Sequence, residues 1–215
     1  MFGQSRLAAW IARPLGVLVL ATCLLPLVNG PVPAQARDGQ VLVGKKPLPL
    51  AYRFKGGIRY LPVAASAKAL DLTLIEAPKE ATLAIQSPWN GTVHFLFGKQ
   101  EVQVAGRVEK LSPVAIERDR EWFLTIPQME RYLGLTATLT KQQDLQLGAL
   151  TRLEQTGAGY QLRSGAPLTP TGFFLDNPPR YVVNLPGAIL DQKHPTSYPA
   201  TEAGYSAIRL GQFEA

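Results

Sequence analysis

Two stretches of the chain, 63 residues apart, repeat one pattern. Tyr60-Leu61-Pro62-Val63 and Leu70-Asp71-Leu72-Thr73 return as Phe123-Leu124-Thr125-Ile126 and Leu133-Gly134-Leu135-Thr136. The matched ends enclose AASAKA in the first copy and PQMERY in the second. Residues 64–70 are good helix formers, and Pro127 suits the opening of a helix, where its missing N–H is no loss. The shared unit therefore reads as strand, short helix, strand. Its recurrence predicts an internal duplication of a β-rich module.

The surrounding sequence agrees with short strands. VLVGKKPLPL (41–50) is two apolar runs around Gly44-Lys45-Lys46, a hairpin pattern. IRYLPV (58–63) reads as extended, and LTLI (72–75) and ATLAI (81–85) alternate with period two. Asn90-Gly91 predicts a type I′ turn, in which both central residues take positive φ, leading into TVHFLFG. The fold class expected is mainly β with short helices: a duplicated α+β module followed by a partial β-sandwich.

The N-terminus has a different character. Arg6 and Arg13 precede an apolar run at 15–28, and Ala34-Gln35-Ala36 supplies small residues where a signal peptidase reads. That order predicts a secretory signal over residues 1–36. The run has 14 residues, short of the roughly 20 that span a bilayer. Cys23 reads as a cysteine inside the discarded signal rather than a lipid attachment point.

Removing 36 of 215 residues leaves 179, with 20 Lys and Arg against 16 Asp and Glu, a net charge of +4. The remainder has no cysteine, so an exported domain of this kind holds together by apolar burial rather than by disulfides. Its basic residues are scattered, which speaks against nucleic acid as a partner. The positive charge suits contact with anionic polymers of a cell envelope.

GKKPLPL, GGIRYLPVAASAKALDLTL, FGKQEVQVAG and DREWFLTIPQMERYLGLTATL together resemble the copper amine oxidase N-terminal-like domain, assigned here to residues 37–147. The resemblance implies a duplicated α+β accessory module of exported bacterial proteins, without oxidase chemistry. The residues agree. Copper in those oxidases needs three imidazoles, whereas this chain has His94 and His194, and it lacks the Asn-Tyr-Asp/Glu stretch of a quinone precursor.

Residues 173–190, FFLDNPPRYVVNLPGAIL, are the most individual part of the sequence. Phe173-Phe174-Leu175 reads as a buried strand end, and Asp176-Asn177-Pro178-Pro179 as a turn. From Arg180 to Leu185 the residues alternate. Tyr181, Val183 and Leu185 fall on one face, and Arg180, Val182 and Asn184 on the other. Two adjacent strands of a sandwich account for nearly every residue.

LDNPPRYVVNLPGA, followed by IRLGQF (208–213), also resembles the AMIN domain, here residues 148–215. That resemblance implies a small β-sandwich that targets its protein to peptidoglycan without catalysis. Asn177, Pro178, Pro179, Arg180, Leu185, Pro186 and Gly187 match the family's central motif, and Arg209, Gly211, Gln212 and Phe213 the later one. Asn184 stands where the family commonly has Asp. The family continues beyond the Gln-Phe pair with a further strand, whereas Glu214 and Ala215 close this sequence, so the domain is expected to be truncated.

Catalytic chemistry finds no local support. An amidase would need zinc held by His and carboxylate ligands with a Glu as base. His94 and His194 lie 100 residues apart, and neither sits in an H-E-x-x-H arrangement. There is no G-x-S-x-G elbow. Gly56-Gly57 and Gly157-Ala158-Gly159 read as turns. Glu117, Asp119 and Glu121, interleaved with Arg118 and Arg120, read as a solvated, charge-balanced loop. No catalytic residue, metal or cofactor is therefore expected. Binding chemistry is easier to place: Trp89 and Trp122 are candidates to stack on sugar rings, and Arg180 and Arg209 to meet carboxylates of peptide stems.

The expectation is a non-catalytic protein of the periplasm or cell envelope. Its expected partner is peptidoglycan or another cell-wall polymer, with envelope proteins as further partners and no membrane span after signal cleavage. Two other readings stay open. One is the N-terminal portion of an N-acetylmuramoyl-L-alanine amidase whose zinc domain lies outside this chain. The other is a protein-docking envelope module.

Overall fold

A computed structural model of the chain describes residues 39–77, 81–157, 159–199 and 206–212. Residues 1–36, where a secretory signal is expected, with Cys23, and Phe213 lie outside the described residues. The described residues are mainly β, with two short α-helices among them. Among the described residues no helix is long and apolar enough to cross a membrane.

Strands β1 (Val41–Val43) and β2 (Lys46–Pro47) form the expected hairpin, turning through Gly44 at φ +59°. Strands β3 (Arg53–Lys55) and β4 (Ile58–Pro62) form a second, with Gly56 and Gly57 both at positive φ. Helix α1 (Val63–Ala69) and β5 (Thr73–Ala77) follow. Strand β5 then opens a five-stranded antiparallel meander with β6 (Thr82–Ser87), β7 (Gly91–Leu96), β8 (Glu101–Val104) and β9 (Arg107–Lys110).

The second copy repeats this order. Strands β10 (Ile116–Arg118) and β11 (Glu121–Thr125), helix α2 (Ile126–Leu133) and β12 (Leu135–Leu139) match β3 to β5. The copies join through β4 and β11, which pair antiparallel at the centre of a sheet ordered β10-β11-β4-β3.

The two helices are started differently. At α2 the Thr125 hydroxyl accepts from the Gln128 N–H while the Gln128 side chain accepts from the Thr125 N–H, and Pro127 lies in the first turn. Helix α1 follows Pro62, which offers no capping side chain. Instead the carboxylate of Glu121, on the other copy, accepts from the Ala64 N–H at 2.9 Å and the Ala65 N–H at 3.3 Å. Glu121 is therefore a half-buried helix cap and not part of a solvated loop, because the β4–β11 pairing carries it to the end of α1. Asp119 keeps a surface role, with Arg53 at 3.0 Å and Arg118 at 3.7 Å.

The 90–91 turn also departs from expectation. Ser87 pairs with Gly91, so the loop has three residues, Pro88-Trp89-Asn90, and only Gly91 takes positive φ. That geometry is the three-residue hairpin loop closed by a left-handed glycine. Asn90 is held otherwise: its amide donates to the carbonyls of Arg131 (2.8 Å) and Tyr132 (2.9 Å) in the last turn of α2.

The core lies between the meander, the helices and the β4–β11 pair. Phe95, Phe97, Leu61, Leu124, Met129, Leu133 and Leu135 are fully buried. Each contributes about 1.5–3 kcal/mol by leaving water.

Strand β13 (Leu145–Thr156) organises the rest. Its first half pairs antiparallel with β12 and parallel with β1. Its second half pairs antiparallel with β14 (Gly159–Ser164) and, across the other edge, parallel with β17 (Ala188–Leu190). The change of module expected between residues 147 and 148 thus falls inside one continuous strand, and the described residues fall in one compact unit.

Strands β15 (Thr171–Asp176) and β16 (Pro179–Asn184) form a two-stranded sheet joined through a cis Asn177–Pro178 bond. The expected alternation is present, but Phe173-Phe174-Leu175 is not a buried strand end. Phe173 is 45% and Phe174 71% exposed, with Tyr181 and Val183 about half exposed. Among the described residues the ribbon pairs with no other strand. Its apolar side chains shelter one another: Phe174 meets Tyr181 at 4.7 Å between ring centroids, and the Tyr181 ring lies over Gly172. Strands β18 (Ser197–Pro199) and β19 (Ala207–Arg209) form a second small pair. The Tyr198 hydroxyl on β18 donates to the Leu153 carbonyl on β13.

Candidate functional site

The β6–β7 loop meets β13 and β14 at a seam between the duplicated part of the chain and the strands that follow it. Ser87, buried, donates to the Leu133 carbonyl at 2.8 Å and accepts from the Trp89 N–H. Trp89 is wedged between neighbours that must lack side chains. A Cβ on Gly134 would lie 2.6 Å from the Trp89 ring, and one on Gly165 would strike the Gly134 carbonyl. Gly134 also takes φ +67° to end α2.

Two arginines grip the same ring. Arg152 on β13 and Arg163 on β14 stand directly opposite each other, and their guanidinium carbons lie 4.7 and 4.8 Å from the Trp89 ring centroid. Arg163 also donates to the Trp89 carbonyl at 2.5 Å. Like charges facing across a sheet repel. Here the indole face attracts both cations, and Glu154 sits between them, 2.6 Å from Arg152 and 3.5 Å from Arg163. The Arg152 hydrogen bond, helped by both positive charges, holds the Glu154 carboxyl below the usual range, against the opposing pull of partial burial. Beyond Arg152 lie His194, its Nε2 at 3.4 Å, and Asp191 at 4.0 Å, with Asp191 and His194 3.6 Å apart.

Beside this cluster runs an open groove of about 410 Å³, lined by Pro88, Glu154, Gln161, Leu162, Arg163 and Ser164. It offers a guanidinium, a carboxylate, an amide and a hydroxyl next to two apolar side chains. Ser164 Oγ has Thr151 Oγ1 and the Ala166 N–H as neighbours at 3.4 Å, and neither is a base. Among the described residues no three His, Cys, Asp or Glu side chains gather to hold a metal ion.

The structure does not bring the four residues expected to bind ligand into one site. Trp89 lies at the seam, but it is 9% exposed and its ring is occupied by the two arginines. Trp122 is half-buried and stacks on Phe97 at 4.5 Å, in a chain that continues to Phe95 and Tyr132. Arg180 is exposed on β16 opposite Leu175, and Arg209 is exposed on β19 opposite Ser197. Gln212 is structural: its side-chain amide accepts from the Leu190 N–H at 2.9 Å and faces the Ala188 carbonyl, bonding β17 as a neighbouring strand would. His94 is exposed on β7 between Ala84 and Gln103, whereas His194 belongs to the arginine cluster.

Arg152, Glu154, Gln161 and Arg163 escaped the sequence reading. A signal for them existed. Gly157 and the glycine at 159 mark a turn, and counting four residues back from Thr156 and four forward from Gly159 sets Arg152 opposite Arg163. Compared with known proteins, the chain matches no family model, no curated protein and no solved structure.

Proposed function

We propose that this chain is a non-catalytic protein of the periplasm or cell envelope that binds peptidoglycan. The observation that carries the reading is the groove beside Pro88. Its mixture of guanidinium, amide, hydroxyl and apolar surface suits a polymer built of sugars, amides and carboxylates. The Ser164 hydroxyl lining it is engaged with Thr151 Oγ1 and the Ala166 N–H, and offers a polar contact to such a polymer. The secretory pattern of residues 1–36 and the resemblance of LDNPPRYVVNLPGA to AMIN domains point the same way.

Co-sedimentation with purified sacculi tests the reading, with the supernatant assayed for released fragments. Pelleting without release is the expected result. Release of soluble fragments would mean an enzyme, and folded protein left in solution would remove the wall-binding reading.

One observation favours a second role. The β15–β16 ribbon presents Phe173, Phe174, Tyr181 and Val183 to solvent with both strand edges unpaired among the described residues, a surface suited to docking another envelope protein.

A further inference from the structure

We propose that the groove is a strand-addition site: a short extended peptide with a free carboxylate lies along the outer edge of β14, its carboxylate on Arg163. The pairing pattern shows which backbone groups are available. The Leu150 N–H donates to the Gly134 carbonyl, and the Leu150 carbonyl accepts from the Gly165 N–H at 3.1 Å. Even-numbered residues of β13 from Leu150 onward therefore direct their backbone toward β14, and the odd-numbered residues of β14 direct theirs back. It follows that Tyr160, Leu162 and Ser164 point their N–H and C=O groups outward. Leu162 and Ser164 line the groove, and among the described residues no strand pairs with this edge.

An edge of this kind selects an extended main chain before it selects any side chain. From Tyr160 to Ser164 it runs about 14 Å, room for four or five residues. Pro88, which also lines the groove, has no N–H to compete for the incoming peptide's carbonyls. Arg163 supplies the charge. Its guanidinium spends one donor on the Trp89 carbonyl and holds Glu154 at 3.5 Å, which leaves further N–H groups on a side chain 37% exposed. Bidentate capture of a carboxylate is what such a fork does best. Leu162, 39% exposed, lies on the other face of β14 from Arg163 and adds an apolar contact for an alternate side chain of the peptide.

The inference rests on the wall-binding reading only for the source of the peptide. On that reading the groove takes the peptide stem of peptidoglycan and not its glycan.

The test is an amide-resolved NMR titration of the isotopically labelled full chain with a peptidoglycan tetrapeptide carrying a free C-terminal carboxylate. The same tetrapeptide as its C-terminal amide is the control. The expected result is that the acid moves the signals of Tyr160, Leu162 and Ser164 and that the amide binds about tenfold more weakly. Arg163→Lys, which keeps the charge but loses the fork, is expected to weaken the acid by a similar factor. Because Arg163 also packs on Trp89, Leu162→Pro is the second variant. The Leu162 N–H does not join the β13–β14 ladder, so this change on an outer edge leaves the fold in place and abolishes peptide binding. Equal affinity for acid and amide overturns the proposal, as do shifts confined to other strands. Concentration-dependent broadening at β14 without peptide overturns it in favour of a second copy. Sacculi that pellet the chain while the tetrapeptide leaves β14 unmoved remove this inference and keep the wall-binding reading. Tetrapeptide binding without pelleting does the reverse.

Discussion

Leu61 and Leu124 face each other across the β4–β11 pair, and they are the same position of the two repeats. Both are fully buried. An antiparallel pair whose equivalent residues meet has a local two-fold axis between them. The duplication therefore closes on itself, each copy covering the other's central strand, and a pattern read along one dimension becomes a symmetric junction in three.

That junction makes the two leucines comparable and coupled. Leu61→Ala and Leu124→Ala are each expected to cost about 2–5 kcal/mol, the range for emptying a leucine site in a packed core. The double variant should cost less than the sum, because residues in contact share one cavity. Urea unfolding of the two single variants and the double variant measures both quantities, and strict additivity would contradict the shared cavity.

Trp89 is expected to be a stability residue before it is anything else. Trp89→Ala removes a buried ring and leaves Arg152 and Arg163 facing each other with Glu154 alone between them. The loss should be about 3–5 kcal/mol. Trp89→Phe, which keeps an aromatic face of smaller size, should lose less. Thermal unfolding of both variants checks the order.

Glu121 is expected to act on a helix far from it in sequence. Glu121→Gln removes the negative charge from the first turn of α1 and should cost about 1 kcal/mol, the usual scale for a lost cap. The local readout is hydrogen exchange. The amides of Ala64 and Ala65, which donate to this carboxylate, should lose protection more than those of α2, which has its own capping box.

Glu154 sets an acid limit. Its carboxyl is held below the usual range in the folded chain, first by the Arg152 hydrogen bond. The unfolded chain therefore binds the proton at higher pH than the folded one. The stability this group contributes is fully present above the ordinary Glu value, about 4.5, and drains away as pH falls through the lower folded value. A comparison with Glu154→Gln from pH 7 downward should show a stability gap that closes below about pH 4.5. A gap that stayed constant with pH would separate Glu154 from the arginines.

Much of the fold was legible along the chain, and for local reasons. Gly44, Gly56 and Gly57 turn their hairpins because tight turns need positive φ, a demand met within four residues. The repeat and its two helices were visible because apolar spacing and Pro127 act over a single turn of helix. The candidate site was legible only in part. Trp89 stood out as a residue, but what touches it did not. Arg152 and Arg163 could be set opposite each other by counting from the turn, yet nothing in that count brings against them the loop that carries Trp89, 63 residues before Arg152.

Alternation in 173–184 decided which residues share a face of the ribbon, since successive side chains point to opposite sides of any strand. Whether a face is covered depends on what packs against it. Phe173 and Phe174, with the composition of a core, lie open, and among the described residues no further strand pairs with their ribbon. Strand β13 teaches the same lesson from the other side. Leu145 to Thr156 reads as one extended run, but its four partners, from β1 at residue 41 to β17 at residue 190, come from across the chain. Local sequence chooses among backbone conformations because those are won by interactions within a few residues. Pairing, burial and the seam at Trp89 belong to contacts between distant segments, and only packing the whole chain brings these together.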